Sequence, residues 1–249
     1  MMNTKLIILM FHRVHDSSQQ FDKDIFEQYL QYLSENFSFS MPGDALSTQK
    51  TNICLSFDDA YCDFYFYAYP LLKKYNARAL LGVSTDYIVE ETTQNAQTRL
   101  SVPYPKGMEN DIWRTQVPFC TWQELREMSN SPYVTIASHS ASHPHVTDKN
   151  CDLQKEIVGS KIILEQQLQK KVDCFIYPYG DFNTSVHHFV KQHYAWDFRI
   201  GSALNHGWQK KGPLYRLDAE KHWPQKLPLT PQLFYKLNMK YWLNRLRGR

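Results

Sequence analysis

Apolar runs of strand length alternate along this chain with segments whose apolar residues recur at helical spacing. The runs cover residues 6–11, 53–57, 77–84, 133–137 and 174–177, with shorter candidates at 195–202 and 214–217. The longer runs are mostly apolar throughout, which is typical of strands in a parallel sheet that is covered on both faces. Their alternation with helices predicts an α/β fold built from parallel βα units.

The segments between these runs carry apolar residues three or four positions apart, the spacing of an amphipathic helix. Helices are expected over residues 26–37, 61–75, 153–168, 184–194 and 230–247. The buried face of the 153–168 helix is expected to hold Ile157, Ile162 or Ile163, Leu164 and Leu168. Thr230-Pro231 opens the last helix with a capping residue followed by proline at the first helical position.

The alternation of apolar strands and amphipathic helices is absent between residues 90 and 119, where three prolines and a glycine interrupt it. A stretch of this length without regular structure is usually either disordered or a functional lid. No repeat, low-complexity tract or linker divides the rest of the chain. We therefore expect a single domain over residues 1–249, with a loop insertion at 90–119 and a basic C-terminal helix at 230–247.

Composition narrows the classes of function. The chain has 249 residues, is 43% hydrophobic and has a net charge of +3, too mild a charge to indicate a nucleic-acid partner. No stretch approaches the roughly 20 apolar residues of a membrane span. The N-terminal apolar run is short for a signal peptide and lacks a small-residue cleavage site. The five cysteines show no CxxC spacing, which favours a reducing compartment. We therefore expect a cytoplasmic protein.

Polar residues with catalytic or metal-binding chemistry follow four of the expected strands. Chemistry in α/β folds is concentrated at the C-terminal ends of the strands. The residues at these ends are His12, Asp58, Asp59, His139, His143 and Tyr179. This common placement predicts one site at that end of the sheet.

The residue types at this site favour metal chemistry. His139 and His143 are four positions apart, the spacing of histidine pairs that bind zinc on one turn of helix. Ser140 stands where zinc proteases carry a glutamate, so the base must come from elsewhere, and Asp58-Asp59 can supply it. Two imidazoles and one carboxylate would leave an open position on zinc for water. The second carboxylate would then handle a proton.

Three motifs carry a family resemblance. Ser-Phe-Asp-Asp at 56–59, Ser-His-Ser-Ala-Ser-His-Pro at 138–144 and Tyr-Pro-Tyr-Gly at 177–180 resemble, in family order, the motifs of NodB-homology polysaccharide deacetylases, carbohydrate esterase family 4. The resemblance implies a distorted (β/α) barrel and a metal-dependent N-deacetylase that acts on a carbohydrate.

Carried over position by position, the resemblance implies a role for each residue. Asp58 would be the general base. Asp59, His139 and His143 would hold a divalent metal, usually zinc. The backbone amide of Tyr179 would contribute to the oxyanion hole, which agrees with the need of acyl transfer for an amide donor beside the developing charge.

The general acid is open to more than one interpretation. The sequence Leu-Met-Phe-His-Arg-Val at 9–14 resembles the early histidine motif of the circularly permuted branch, which includes poly-N-acetylglucosamine deacetylases. This favours His12. His206 remains the alternative, because most family members use a histidine in a late Leu-x-His motif, and His222 carries less weight.

The chain departs from the family pattern at several positions. Tyr177 stands where many members have an arginine that orients the base, and Arg216, at an expected strand end, is a candidate substitute. Ala60 replaces the usual glycine after Asp-Asp. Trp196-Asp197 is a candidate for the family's Asp/Trp motif.

The resemblance predicts removal of N-acetyl groups from an amino sugar or glycan, with release of acetate. A hydrolase of O-acetyl, formyl or small amide substrates and a non-catalytic glycan-binding domain remain as alternatives. The basic helix at 230–247 is expected to pack on the core and to leave its basic face in solvent. The alternative is peripheral contact with the inner face of a membrane, and a lipid-linked glycan would then be a candidate substrate.

Overall fold

The computed structural model describes residues 4–16, 22–208, 212–222 and 228–246. Strands and helices alternate along these ranges. The strands are β1 (Leu6–Phe11), β2 (Ser38–Phe39), β3 (Asn52–Phe57), β4 (Ala79–Val83), β5 (Val134–Ser138), β6 (Cys174–Ile176), β7 (Trp196–Ile200) and β8 (Leu214–Asp218).

The strands form a parallel barrel. Their order in the sheet is β1-β8-β7-β6-β5-β4-β3-β2, and β1 also pairs with β3 along its full length. Seven strands therefore close on themselves, while the two-residue β2 adds to the beginning of β3. The α/β fold predicted from the alternating pattern, and the (β/α) barrel that the family resemblance implies, are the architecture of this protein.

Helices surround the barrel. They are α1 (Lys23–Asn36), α2 (Tyr69–Lys74), α3 (Ala96–Leu100), α4 (Ile112–Thr115), α5 (Trp122–Ser129), α6 (Ser160–Leu168), α7 (Thr184–His193) and α8 (Pro231–Leu246). π-Helical turns over Phe64–Ala68 and Gln154–Gly159 lead into α2 and α6. At the start of α5, the Thr121 side chain accepts a hydrogen bond from the Glu124 amide and Glu124 accepts one from Thr121, a complete capping box.

Alternation along each strand divides the apolar residues into two cores. Leu6 and Ile8 of β1 belong to the core inside the barrel, whereas Ile7, Leu9 and Phe11 pack outside it, against the helices. Because side chains on a strand alternate between faces, the residues that continue the inward set reach the C-terminal mouth of the barrel. The strand pattern thus determines which polar residues enter the mouth.

The buried face of α6 differs from the prediction. Ile157, Leu164 and Leu168 are buried, but Ile162 and Ile163 are 48% and 38% exposed. Ser160 occupies the helical position that faces the barrel. Its Oγ lies 2.8 Å from the Ser138 Oγ, so the two hydroxyl groups are hydrogen-bonded. A small polar residue therefore replaces the isoleucine that hydrophobicity alone suggested.

The 90–119 insertion, for which disorder or a functional lid was expected, contains the short helices α3 and α4. Buried Arg99 holds it together: its Nε donates to the Val117 carbonyl and one Nη to the Phe119 carbonyl, both at 2.9 Å. The same guanidinium pairs with both carboxylate oxygens of Glu124 at 2.7 and 2.8 Å. Arg99 thereby fixes α3 and the C-terminal end of the insertion to α5.

The opposite, N-terminal end of the barrel carries α8. The Leu204 amide donates to the Leu237 carbonyl at 3.2 Å, and Asn205 bridges to Leu6, the first residue of β1. Within the described ranges, no helix is both long and apolar enough to cross a bilayer.

The five cysteines are free thiols, and burial places four of them in the core. Cys54 and Cys174 lie inside the barrel, where burial raises the pKa of the Cys54 thiol to about 12. These cysteines are small apolar core residues, as their apolar sequence context indicates.

Candidate active site and metal centre

The turn after β3 presents the two aspartates. Asp58 continues the inward face of the strand, and its amide donates to the Phe11 carbonyl at 2.8 Å. Asp59 and Ala60 then adopt left-handed φ angles of 65° and 52°. Glycine adopts this conformation without a steric cost, which explains why a glycine suits position 60 and why alanine there is strained. This turn brings the second carboxylate to the same mouth.

Arg216 binds Asp58. The guanidinium is fully buried on β8, and its two terminal nitrogens lie 2.5 and 2.8 Å from the two carboxylate oxygens. Burial alone would raise the pKa of Asp58, but Arg216, with His139, outweighs it and holds that pKa well below its usual range. Asp58 is therefore an oriented, ionised carboxylate. Tyr177, at the position where many family members have an arginine, donates to Asp197 at 2.9 Å.

The end of β5 supplies the two histidines. His139 follows the strand directly, and its Nδ1 lies 2.9 Å from the Ile176 carbonyl oxygen. Because a carbonyl only accepts, Nδ1 carries the hydrogen and Nε2 faces the mouth as a lone pair. Gly82 allows this placement, since a Cβ there would lie 3.0 Å from the Ile176 Cδ1 and 3.4 Å from the His139 Cβ. His143 returns to the same point after a turn in which its own φ is 57°.

Asp59, His139 and His143 converge on one point. The two Nε2 atoms are 3.1 Å apart, and each lies 3.5 Å from the Asp59 Oδ1. Three donors of a tetrahedral zinc ion with bonds of 2.0–2.1 Å are separated by about 3.3 Å. Asp59 Oδ1 is buried and has no hydrogen-bond partner among the described residues. An unsatisfied buried oxygen between two imidazole lone pairs fits a divalent cation.

The protonation of this group suits metal binding. Burial lowers the pKa of both His139 and His143 to about 4, so both are neutral near pH 7. Burial also raises the pKa of Asp59, a penalty on its charge that a bound cation offsets. Neutral imidazoles and a carboxylate are the protonation states that ligate zinc.

His12 lies across the mouth and is held by Glu220. Its Nδ1 lies 2.8 Å from one Glu220 oxygen, while the other oxygen accepts the backbone N–H groups of His12 and Arg13. Burial alone would lower the pKa of His12, but the Glu220 carboxylate, with Asp58 and Asp59 nearby, raises it to about 10. Because its pKa lies well above 7, the His12 imidazole is protonated near neutral pH.

Tyr179 forms one wall of the mouth. It lies in the left-handed region at φ 57°, an uncommon conformation for a residue other than glycine. Its exposed ring contacts His143, with centroids 4.6 Å apart, and stacks on His145 at 4.1 Å. Asp181 holds His145 through an Nδ1–Oδ2 contact of 2.5 Å. The wall is thus an aromatic shelf beside the histidine pair.

The insertion supplies the opposite wall. The Tyr104 ring lies 5.0 Å from the His12 ring and 5.7 Å from the Tyr61 ring. Arg13, the neighbour of His12, donates to the Val102 carbonyl at 2.7 Å and ties the insertion to the loop after β1. The insertion therefore acts as an ordered flank of the mouth.

The structure corrects two sequence-based alternatives and adds residues that the sequence did not reveal. His206 lies at the N-terminal end of the barrel, where its Nε2 is 3.0 Å from the Asn238 Oδ1, so it cannot reach the mouth. Asp197 faces α7 and bonds His187 at 2.8 Å, so Trp196-Asp197 does not contribute to the site. The side chain of His222 lies outside the described residues.

Glu220 and Tyr104 were missed. Glu220 lies two residues after the end of β8, so the rule that polar residues at strand ends build the site could have found it. Tyr104 stands in an irregular segment whose sequence carries no periodic signal.

Comparison with known sequences identifies the family. The family model described as polysaccharide deacetylase matches residues 45–195, more than half of the chain. A curated relative, "Putative polysaccharide deacetylase YxkH" of Bacillus subtilis (strain 168), is 24% identical over 190 residues. That match covers 72% of this chain and 58% of the relative, so the chain spans less than two thirds of that protein's length.

Solved structures share the fold. The Streptococcus pyogenes deacetylase PplD, in complex with acetate, matches with a TM-score of 0.69 at 23% identity, over 94% of this chain and 98% of that one. A de-N-acetylase from Aggregatibacter actinomycetemcomitans matches at 0.67 and 22%, over 86% and 94%. IcaB from Ammonifex degensii matches at 0.65 and 18%, over 96% and 97%. With its barrel and its Asp-His-His group, the chain belongs to the polysaccharide deacetylase family.

Proposed function

We propose that this protein is a zinc-dependent hydrolase that removes N-acetyl groups from an amino sugar or glycan and releases acetate. The proposal rests on one observation: the two adjacent carboxylates, Asp58 and Asp59, have different partners. Asp58 is fixed by Arg216, while Asp59 joins His139 and His143. A base and a metal site thus stand side by side at one mouth.

Asp59, His139 and His143 would hold the metal. Two imidazole nitrogens and one carboxylate oxygen form the ligand set of catalytic zinc sites, which keep a position open. When bound, the ion would polarise the amide carbonyl and lower the pKa of water. The chain's own residues then have to move two protons and orient the substrate.

Asp58 is placed to take the first proton. Its low pKa keeps it ionised, and Arg216 fixes both of its oxygens. We assign it the proton of the attacking water as the new C–O bond forms. The Tyr179 amide is assigned to the developing oxyanion, where a backbone donor is most effective.

His12 is placed to supply the second proton. Cleavage of the C–N bond leaves an amine nitrogen that needs a proton, and His12 is protonated and lies across the mouth from Asp58. The balance is complete: Asp58 gains one proton, His12 loses one, and the products are a free amine and acetic acid, which releases its proton to solvent and leaves as acetate. A charged imidazole of this kind favours an amide substrate, because an amine leaves only with its proton.

A direct assay tests the proposal. We would load the purified protein with zinc and incubate it with N-acetylated glucosamine oligomers, and with O-acetylated sugars as the competing class. Acetate release and free amine would be measured together. Asp58→Asn should lower turnover by about 10²- to 10⁴-fold. Asp197→Asn removes another buried carboxylate, outside the barrel, and serves as the matched control.

The outcomes separate the alternatives. Release of equal amounts of acetate and amine supports N-deacetylation if Asp58→Asn abolishes it and Asp197→Asn does not. Acetate without amine from the O-acetyl sugars alone indicates an esterase. Turnover that survives both Asp58→Asn and removal of the metal contradicts the proposed chemistry, and sugar binding without turnover indicates a binding domain.

A further inference from the structure

Helix α8 has apolar residues on two sides. One side packs against the barrel: Leu237 is buried, and Leu233 and Phe234 contact the outer core. The other side is exposed. Its apolar residues follow Tyr235 at offsets of four, seven, eight and eleven positions, a spacing that places them on one face of the helix. Its residues are Tyr235 (68% exposed), Met239 (45%), Trp242 (51%), Leu243 (46%) and Leu246 (84%). We call these five residues the α8 stripe.

The charge beside the stripe is positive. Lys236 and Lys240 are exposed and lie next to Tyr235 and Met239 in the chain. Residues 228–249 contain five lysines and arginines and no aspartate or glutamate. An apolar face with aromatic residues and a basic border is the composition of helices that lie in the interface of an anionic membrane.

A second copy of the chain fits this surface less well. A two-fold contact through the stripe would bring the same patch of both copies together. Lys236 and Lys240 would then face or flank their counterparts, and like charges repel. An anionic lipid surface satisfies the apolar stripe and the lysines at once.

We propose that α8 docks the protein on the surface of an anionic lipid bilayer, with the α8 stripe at the level of the acyl chains and Lys236 and Lys240 at the head groups. The helix lies on this surface and does not cross it. The proposal is independent of the chemistry at the barrel mouth, which lies at the other end of the strands.

Vesicle flotation of the full chain tests the proposal. Vesicles of phosphatidylcholine would be compared with vesicles that also contain phosphatidylglycerol. We expect binding that requires the anionic lipid and weakens with salt. Met239→Ser/Leu243→Ser should reduce the partition coefficient by about tenfold or more. Lys236→Glu/Lys240→Glu should reduce it by roughly fivefold for each lost lysine, and by more because the charge is reversed.

Matched controls exist elsewhere on the surface. Ile162 and Ile163 of α6 have similar exposure to Met239 and Leu243, so Ile162→Ser/Ile163→Ser removes comparable apolar surface. Lys106→Glu/Lys149→Glu changes the net charge as much as the α8 charge variant, at other exposed positions. Thermal melts would show that all variants are folded.

Binding lost only with the α8 variants supports the proposal. Equal loss with the α6 or distant lysine controls overturns it, as does a parent protein that floats with neither vesicle. The parent protein could instead be dimeric and fail to bind either vesicle. If Met239→Ser/Leu243→Ser then makes it monomeric, the α8 stripe is an interface between two copies of the chain.

Discussion

Glu220→Gln should move the alkaline limb of the activity profile to lower pH. The substitution removes the negative charge beside His12 and replaces the oxygen that accepts from Nδ1–H with an amide NH2 group, and both changes disfavour the protonated imidazole. Glutamine keeps a carbonyl oxygen that can still accept the backbone N–H groups of His12 and Arg13, both of which Glu220 binds now. The effect is therefore one of charge on the imidazole more than one of loop geometry.

The structure gives the size of the effect. The His12 Nδ1 and the Glu220 oxygen are 2.8 Å apart, and the two side chains are only 19% and 12% exposed. Two unit charges at this distance attract by about 6 kcal/mol at an effective dielectric constant near 20. Burial of the imidazolium offsets part of that gain, and such a partner typically changes a pKa by about 1 to 3 units. We expect a downward shift of that size.

The sign follows from the role assigned to His12. A general acid must be protonated, so activity falls as pH rises through its pKa. The Glu220 carboxylate raises that pKa to about 10, and its removal makes the fall begin earlier. A cation bound nearby lowers the pKa of His12 in both proteins, so the difference between parent and variant is the quantity to measure.

The assay is kcat/KM of the zinc-loaded protein from about pH 6 to about pH 11, a range that brackets both the usual pKa of histidine and the raised pKa of His12 at about 10. Asp181→Asn is the matched control, because it removes a carboxylate at the same mouth that contacts His145 instead of His12. Unfolding provides a second readout. A raised histidine pKa stabilises the fold below the unfolded-state pKa near 6.5, and this is lost as pH rises through the folded-state value. The variant should therefore lose about 1.4 to 4 kcal/mol near pH 6 and less near pH 10.

Two results would refute this reasoning. An alkaline limb that stays in place while kcat/KM falls equally at every pH would show that Glu220 only caps the backbone after β1. A limb that moves equally with Asp181→Asn would show that the general field of the mouth, rather than the specific pair, sets the pKa of His12.

Three further changes test other parts of the site. Arg216→Met leaves the Asp58 charge buried and unpaired, so it should lower the free energy of unfolding by about 3 to 5 kcal/mol in urea titrations, partly restored by adding Asp58→Asn. His143→Ala should lower the zinc content by mass spectrometry to a small fraction of the parent's, whereas His145→Ala should not. Tyr104→Ala should raise KM about 2- to 10-fold with little change in kcat, because its ring flanks the mouth.

The clustering of Asp59, His139 and His143 could be predicted from the sequence because its signals are local. Each of Asp59, His139 and His143 follows directly, or within one turn, from an apolar strand. Parallel strands bring their C-terminal ends to one rim, so residues at those ends meet whatever their separation in the chain. The strands themselves are readable because they are apolar on both faces.

The partners of Asp58 and His12 could not be predicted in the same way. Asp58 and Arg216 are 158 positions apart, and His12 and Glu220 are 208 apart. Both pairs form only because the barrel closes where β1 lies between β8 and β3. No local sequence pattern indicates that the barrel closes at β1. The sequence therefore identified Arg216 as one of two interpretations and did not reveal Glu220.

Membrane docking and catalysis together predict a preference for long glycans. The α8 stripe lies at the N-terminal end of the barrel and the mouth at the C-terminal end, separated by at least the length of β1, six residues or roughly 20 Å. On a bilayer the mouth would face away from the lipid.

Vesicle-bound protein should then deacetylate a soluble oligomer as fast as free protein does. It should leave a lipid-linked monosaccharide in the same vesicle intact, and act on the lipid-linked sugar once the glycan is long enough to reach the mouth. Fast acetate release from the monosaccharide would contradict this orientation, because a single sugar held at the head groups cannot span that distance.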